Sequence, residues 1–487
     1  MKRTLPSLVI SLSLLMGAMT GAWAQDFDKG LEAAKKGDFA TALKEWRPLA
    51  ERGDANAQYN MGWMYNYGQG VAQDYKEAVK WYRLAAEQGL AGAQNNLGVM
   101  YKKGQGVVQD YKEAVKWYRL AAEQGFVSAQ HNLGLIYSDG KGVAQDYKEA
   151  VKWYRLSAEQ GFVSAQFNLA TMYDQGLGVV QDYREAVKWY RLAAEKGFVS
   201  AQHNLGNMLS DGEGVVQDYK EAVKWYRLAA EQGYANAQLD LGVMYGKGLG
   251  VVQDYREAAR WFRLAAEQGD VKAQYNLAQM HSKGDGVVKN HSEAVKWFRL
   301  AAEQGLSQAQ YNLGTSYANG IGVSRDDQEA VKWFRLAANQ SLSQAQFNLG
   351  QMIREGRGVV RNDKEAFGWY RLAAEQGDAR AQDNLAMMYT NGDGVVRDYK
   401  KAVKWFRLAA EQGYAHAQGN LGTMYFNGNG VDKDNLLAHM WFTIAASKGD
   451  AKASKFRGFT EKQMTAEDLS KAITFARECV AKNYKGC

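Results

Sequence analysis

The sequence predicts an all-α fold, an α-solenoid of stacked helix pairs, and three observations predict it. The pattern W-[YF]-R-L-A-A-E-Q-G recurs at a fixed period of 36 residues: Trp81, Trp117, Trp153 and their successors through Trp441 follow one another without an insertion or deletion. A period in this range marks a supersecondary unit that stacks on copies of itself. Only two prolines, Pro6 and Pro48, occur in 487 residues, so nothing blocks helix through the repeated region. The apolar–polar alternation of a half-buried strand is absent.

The first element reads as an export signal. Lys2 and Arg3 give a positive start, Leu5 to Met16 an apolar core, and Ala22-Trp23-Ala24 a small-residue cleavage site. Residues 1–24 are therefore expected to be removed and the mature chain to begin at Gln25, with periplasmic or secreted residence. No cysteine follows the cut to carry a lipid anchor, and no later stretch approaches the ~20 apolar residues of a membrane span. Loss of Lys2 and Arg3 lowers the formal charge from +7 to +5, with bases and acids interleaved along the chain. That pattern gives no support to nucleic-acid binding.

Residues 25–53, with Phe27, Leu31, Phe39, Leu43, Trp46 and Leu49, read as a helical hairpin that caps the array. The repeated unit, over residues 54–449, is represented by 90–125. In its first half Ala93, Asn96, Leu97, Met100, Tyr101 and Gly104 follow helical spacing and define helix A, which Gly104 ends. In its second half Asp110 and Glu113 form a capping-box arrangement. Tyr111, Ala114, Val115, Tyr118, Leu120, Ala121 and Ala122 then make the apolar face of helix B, and Gly125 stops it. Gly98 and the Ala121-Ala122 pair are small where helices approach closely. Gln94 and the Asn96-type residue are expected to hydrogen-bond the loops between repeats, since buried amides are usually structural.

The motif A-Q-x-x-L-G-x-x-Y-x-x-G-x-G-V followed by A-x-x-W-[YF]-x-x-A-A-E-Q-G resembles the Sel1-like repeat, a tetratricopeptide-like family, over eleven units from Asp54 to Gly449. The resemblance implies antiparallel helix pairs wound into a right-handed superhelix that serves protein–protein interaction, with helix A lining the groove. Some bacterial relatives with a disulfide in each repeat are linked to cell-wall or β-lactam chemistry. This chain lacks those cysteines, so that enzymatic reading, like that of a passive envelope spacer, stands as an alternative. A non-enzymatic scaffold is expected, with no cofactor and no metal. The six histidines are scattered, and no metalloprotease, nucleophile-elbow or phosphate-loop motif occurs.

Copies of the repeat differ mainly on helix A. The position after Ala-Gln holds an aromatic ring in five of eleven repeats (Tyr59, Phe167, Tyr275, Tyr311 and Phe347) and a histidine in two more, His131 and His203. Four residues later comes a second variable position, occupied in the first repeat by Trp63. The spacing places both on one stripe, away from the stripe that packs. These eight residues are the candidates for partner contact, with a protein or peptide as the partner.

Two further expectations concern single residues. Ser341 replaces the glycine that ends helix B of the eighth repeat, which predicts a weaker joint at 339–342. After Gly449, residues 450–487 read as a C-terminal cap whose last helix starts at Thr465 and runs towards Cys479. Eight residues of continuous helix would hold Cys479 and Cys487 ~12 Å apart, beyond disulfide reach. The helix must end soon after Cys479, with Asn483 and Gly486 letting the chain turn back into a clasp. Two free thiols are the alternative.

Overall fold

The computed structural model describes residues 22–487, with side chains from Phe27 onward; the expected export signal lies almost wholly outside them. The described residues form 26 α-helices and no strand. A leading hairpin, Ala22–Lys35 and Phe39–Glu51, precedes eleven helix pairs, and Ala451–Glu461 and Ala466–Ala481 follow them. Within each of its two compact units consecutive helices pack against one another, giving an all-α solenoid. One unit runs up to Ala237 with Leu249–Val252, and the other comprises Gln238–Gly248 and Gln253–Cys487. Among the described residues no helix is long and apolar enough to cross a membrane.

The repeat at 90–125 shows why each pair forms. Helix A runs Ala91–Lys103 and ends at Gly104, whose φ of 67° is the left-handed conformation glycine adopts without strain. Gly106 is also required. A Cβ there would lie 2.2 Å from the carbonyl oxygen of Tyr75, on helix B of the preceding repeat. Helix B runs Tyr111–Glu123, and Asp110 accepts hydrogen bonds from the amides of Lys112 and Glu113.

The capping box is only half formed. The amide of Asp110 donates to the Tyr101 carbonyl and closes the hairpin, so Glu113 has no amide to accept from. The equivalent glutamates turn elsewhere: Glu185 and Glu329 accept from the indoles of Trp189 and Trp333 at 3.1 and 2.9 Å. Leu120 also departs from expectation. It is 40% exposed, and its equivalents from Leu84 to Leu408 are also exposed, because helix B buries the face of Ala114, Val115, Tyr118, Ala121 and Ala122, and Leu120 lies off it.

Gly98 lies under the Tyr118 ring, where a Cβ would stand 2.8 Å from the nearest ring carbon. The last repeat alone is apolar nearly all round its helix B (Asn435–Ser447). Leu437, Met440 and Ile444 stand where the repeat before it has Lys401, Lys404 and Leu408, and the final helix covers them. The substitution of apolar for basic residues was a legible sign of that cover. Beyond it, Asn483 and Tyr484 adopt positive φ and bring Cys487 back to Cys479, with Cα atoms 5.7 Å apart.

Candidate functional site: the variable stripe of helix A

Two recurrent networks fix the frame on which the variable residues sit. The first is a glutamine relay. Gln94, 4% exposed, donates through Nε2 to the Ala86 carbonyl of the preceding repeat and accepts through Oε1 from Gln124 at 2.8 Å. The same Gln–Gln bond forms in nine repeats. It fails where lysine replaces the second glutamine. Lys196 and Lys448 reach the carbonyls of Gly161 and Gly413 instead, and Oε1 of Gln166 and of Gln418 is left buried without a partner.

The second network joins helix B to the next helix A. Arg83, Arg119, Arg155, Arg299 and Arg407 each donate to the helix A tyrosine hydroxyl of the following repeat. Leu209 and Ile353 remove that acceptor. There Arg191 and Arg335 pair with Glu221 and Glu365 on the next helix B, at 2.6 and 2.7 Å. His281 stands in the third such place, buried, with neither ring nitrogen hydrogen-bonded.

On this frame the stripe is half-buried rather than clear of the packing. Tyr59, His131, Phe167, His203, Tyr275, Tyr311 and Phe347 each set a ring 5.7–5.9 Å from the aromatic ring of their own helix B. The other side often meets the residue that begins the next helix A: Phe162 over His131 at 5.1 Å, Phe198 over Phe167 at 5.0 Å, Tyr234 over His203 at 5.2 Å. That contact explains why phenylalanine or leucine so often takes the N-cap of helix A, where it makes no capping hydrogen bond. Trp63, 8% exposed, packs on Phe39 of the leading hairpin and on Tyr67.

The Asn96-type residue, expected to serve the loops, serves this stripe instead. Asn132, Asn168 and Asn420 donate back to the variable residue of the preceding repeat, Asn95, His131 and Asp383, at 2.9–3.1 Å. In these three pairs one repeat positions its neighbour's variable side chain. Burial, with Lys102 nearby as a second cause, lowers the His131 pKa to about 4, which keeps the ring neutral and able to accept from Asn168. Asp383, 2% exposed, holds His416 at 2.6 Å, and that hydrogen bond raises the His416 pKa.

The second variable position leaves the more accessible surface. Thr171 and Asn207 meet the hydroxyls of Tyr190 and Tyr226 at 3.1 and 2.8 Å, and Gln279 donates to the hydroxyl of Tyr275 at 2.6 Å. Where this position is apolar, as at Val99, the hydroxyl of Tyr118 is buried without a partner. Among the described residues no group of three or more histidine, cysteine or carboxylate side chains is placed to hold a metal ion.

The Sel1 repeat family model matches eleven consecutive segments, from residues 55–90 to 415–450. Among solved structures, c5321, a protective antigen present in uropathogenic Escherichia coli strains and displaying an SLR fold, superposes with a TM-score of 0.80. It is 38% identical over 91% of this chain and 96% of its own. A Sel1 repeat protein from Oxalobacter formigenes gives a TM-score of 0.53 at 34% identity, over 63% of this chain and 89% of its own. No curated protein matches the chain.

Proposed function

The chain belongs to the Sel1 repeat family, and we propose that this member is an exported, non-enzymatic scaffold that holds a protein or peptide segment along its helix A stripe. The observation that carries the reading is where the variation falls. Relay glutamines, small packing residues and helix B recur almost unchanged, while the second helix A position runs through Val99, Thr171, Asn207, Gln279 and Gln351, all half-buried. A surface kept in register by a constant frame, yet changed from one unit to the next, suits a ligand read by several pockets in series.

Export rests on the leading basic and apolar segment, and the description of c5321 as a protective antigen accords with it. In an oxidising compartment the adjacent Cys479 and Cys487 sulfurs are joined, which pins the final helix against Ile444.

The test is capture from envelope fractions by residues 25–487, with partners then reconstituted from purified components. Alanine at Tyr275, Tyr311 and Phe347 also removes packing onto helix B. It is therefore paired with glutamate at Gln279, Thr315 and Gln351, which changes accessible surface and leaves the rings in place. A partner held by wild type and lost by both variants, with helicity unchanged, supports the stripe. Equal capture by all three overturns it. N-terminal sequencing of the exported protein should read from Gln25; an intact Met1 would sink the export assignment.

A further inference from the structure

One joint in the array differs from the others in two ways at once. At the position three residues after the second variable site, all repeats but the sixth carry a side chain, among them Asn66, Lys102, Arg354 and Phe426. The sixth repeat has Gly246, the only glycine at this position. Its conformation does not demand glycine, since a Cβ would meet nothing nearer than the Ala258 methyl at 3.8 Å. Glycine is a poorer helix former than alanine, so the missing side chain destabilises the helix without easing any clash. What it leaves is a cavity of about 410 Å³ between the sixth and seventh repeats, with Val243, Phe262 and Met280 as its apolar lining.

The second difference is charge. Lys247 and Lys283, one repeat apart, flank this cavity, and both are exposed and free of any ion pair. At no other joint do two lysines occupy these equivalent positions. The same cleft at the joint of the first two repeats is smaller, about 310 Å³, with Asn66 in place of Gly246 and Tyr67 in place of Lys247. Asp285 also lines the larger cavity, beside Gln279.

We propose that this cavity receives a carboxylate carried on an apolar stem, the glutamate side chain of a bound peptide segment. The proposal rests on the stripe reading and names the partner's chemistry at one joint. Two unpaired ammonium groups repel one another, and a carboxylate between them converts that repulsion into charge-assisted hydrogen bonds. The apolar lining takes the methylene stem. Asp285 supplies an acceptor for a peptide N–H, which a free dicarboxylic acid does not have.

The test measures fluorescence anisotropy of two fluorescein-labelled pentapeptides, Ala-Val-Glu-Leu-Ala and its Gln counterpart, against residues 25–487. The glutamate peptide should bind about tenfold more tightly, the worth of roughly one charge-assisted contact. Gly246→Arg fills the cavity with the residue that Arg354 shows the fold accepts at this position. That variant, and Lys247→Gln with Lys283→Gln, should each abolish the preference while circular dichroism stays unchanged. Equal binding of the two peptides, or an undiminished preference in folded Gly246→Arg, overturns the proposal. Free glutarate binding as tightly as the glutamate peptide overturns the peptide as occupant. A captured partner that tolerates Gly246→Arg but not the Gln279, Thr315 and Gln351 changes would remove this cavity and leave the stripe standing.

Discussion

His131 and Phe167 occupy the same place in successive repeats, and the difference between them is a matter of protons. Burial holds the His131 pKa at about 4 against an ordinary 6.5, so the unfolded chain binds the proton that the folded one refuses. Stability is therefore complete above the ordinary value and falls as pH drops from 6.5 towards 4. His131→Phe should flatten the fall measured by thermal melts between pH 7 and 5, and Phe167 shows that the slot accepts the ring. His416 has the opposite sign: its raised pKa means that the Asp383 pair stabilises below the ordinary value and is lost as pH rises through the folded one.

Lys196 offers a second test at this scale. Lys196→Gln should complete the relay at Gln166 and stabilise the fourth repeat by ~1 kcal/mol, the usual net worth of one hydrogen bond, read as slower amide exchange there. The glutamines and the aromatic slots were legible in the sequence as recurring types. The reach of Asn132, Asn168 and Asn420 into the preceding repeat was not, because it spans 37 residues and depends on how two hairpins stack.

Helices were the most legible elements, since glycine and aspartate punctuate them on schedule. What spacing could not reveal was which apolar residues face out. Leu120 fits the helical period of the buried face, yet the next repeat does not reach it. Conversely, Leu437, Met440 and Ile444 mark a face that only the final helix closes. The weak joint expected in the eighth repeat has its structural counterpart in Ser341, at φ 64° where the other repeats place glycine. Ser341→Gly should strengthen that joint by about 1 kcal/mol, seen as amide protection rising in residues 339–345 and nowhere else. Unchanged protection would mean that the neighbouring helices already absorb the strain.

In an array whose units touch only their neighbours, stability is close to a sum over units and joints. The recurrent contacts of the glutamine relay run at fixed offsets, so removing one whole repeat rejoins equivalent partners. Deleting residues 126–161 should leave a folded protein, with Gln166 donating to the Ala122 carbonyl in place of that of Ala158. Circular dichroism should show the same helicity per residue and a melt within a few degrees of the parent. A deletion of half a repeat, residues 126–143, joins two helices B in succession, breaks every offset and should not fold. The same deletion separates a spacer from a reader: a ligand gripped by successive helix A positions should bind more weakly to the shortened array.

The unbroken register also has a genetic consequence. A gene built of near-identical tandem blocks recombines with itself, and each misaligned exchange adds or removes whole blocks. Because any whole number of repeats restores the same joints, such products reach the cell as folded proteins and are exposed to selection at once. Alleles should therefore differ in length by complete repeats, leaving both caps intact, and the number of positions read along a ligand can change in a single generation.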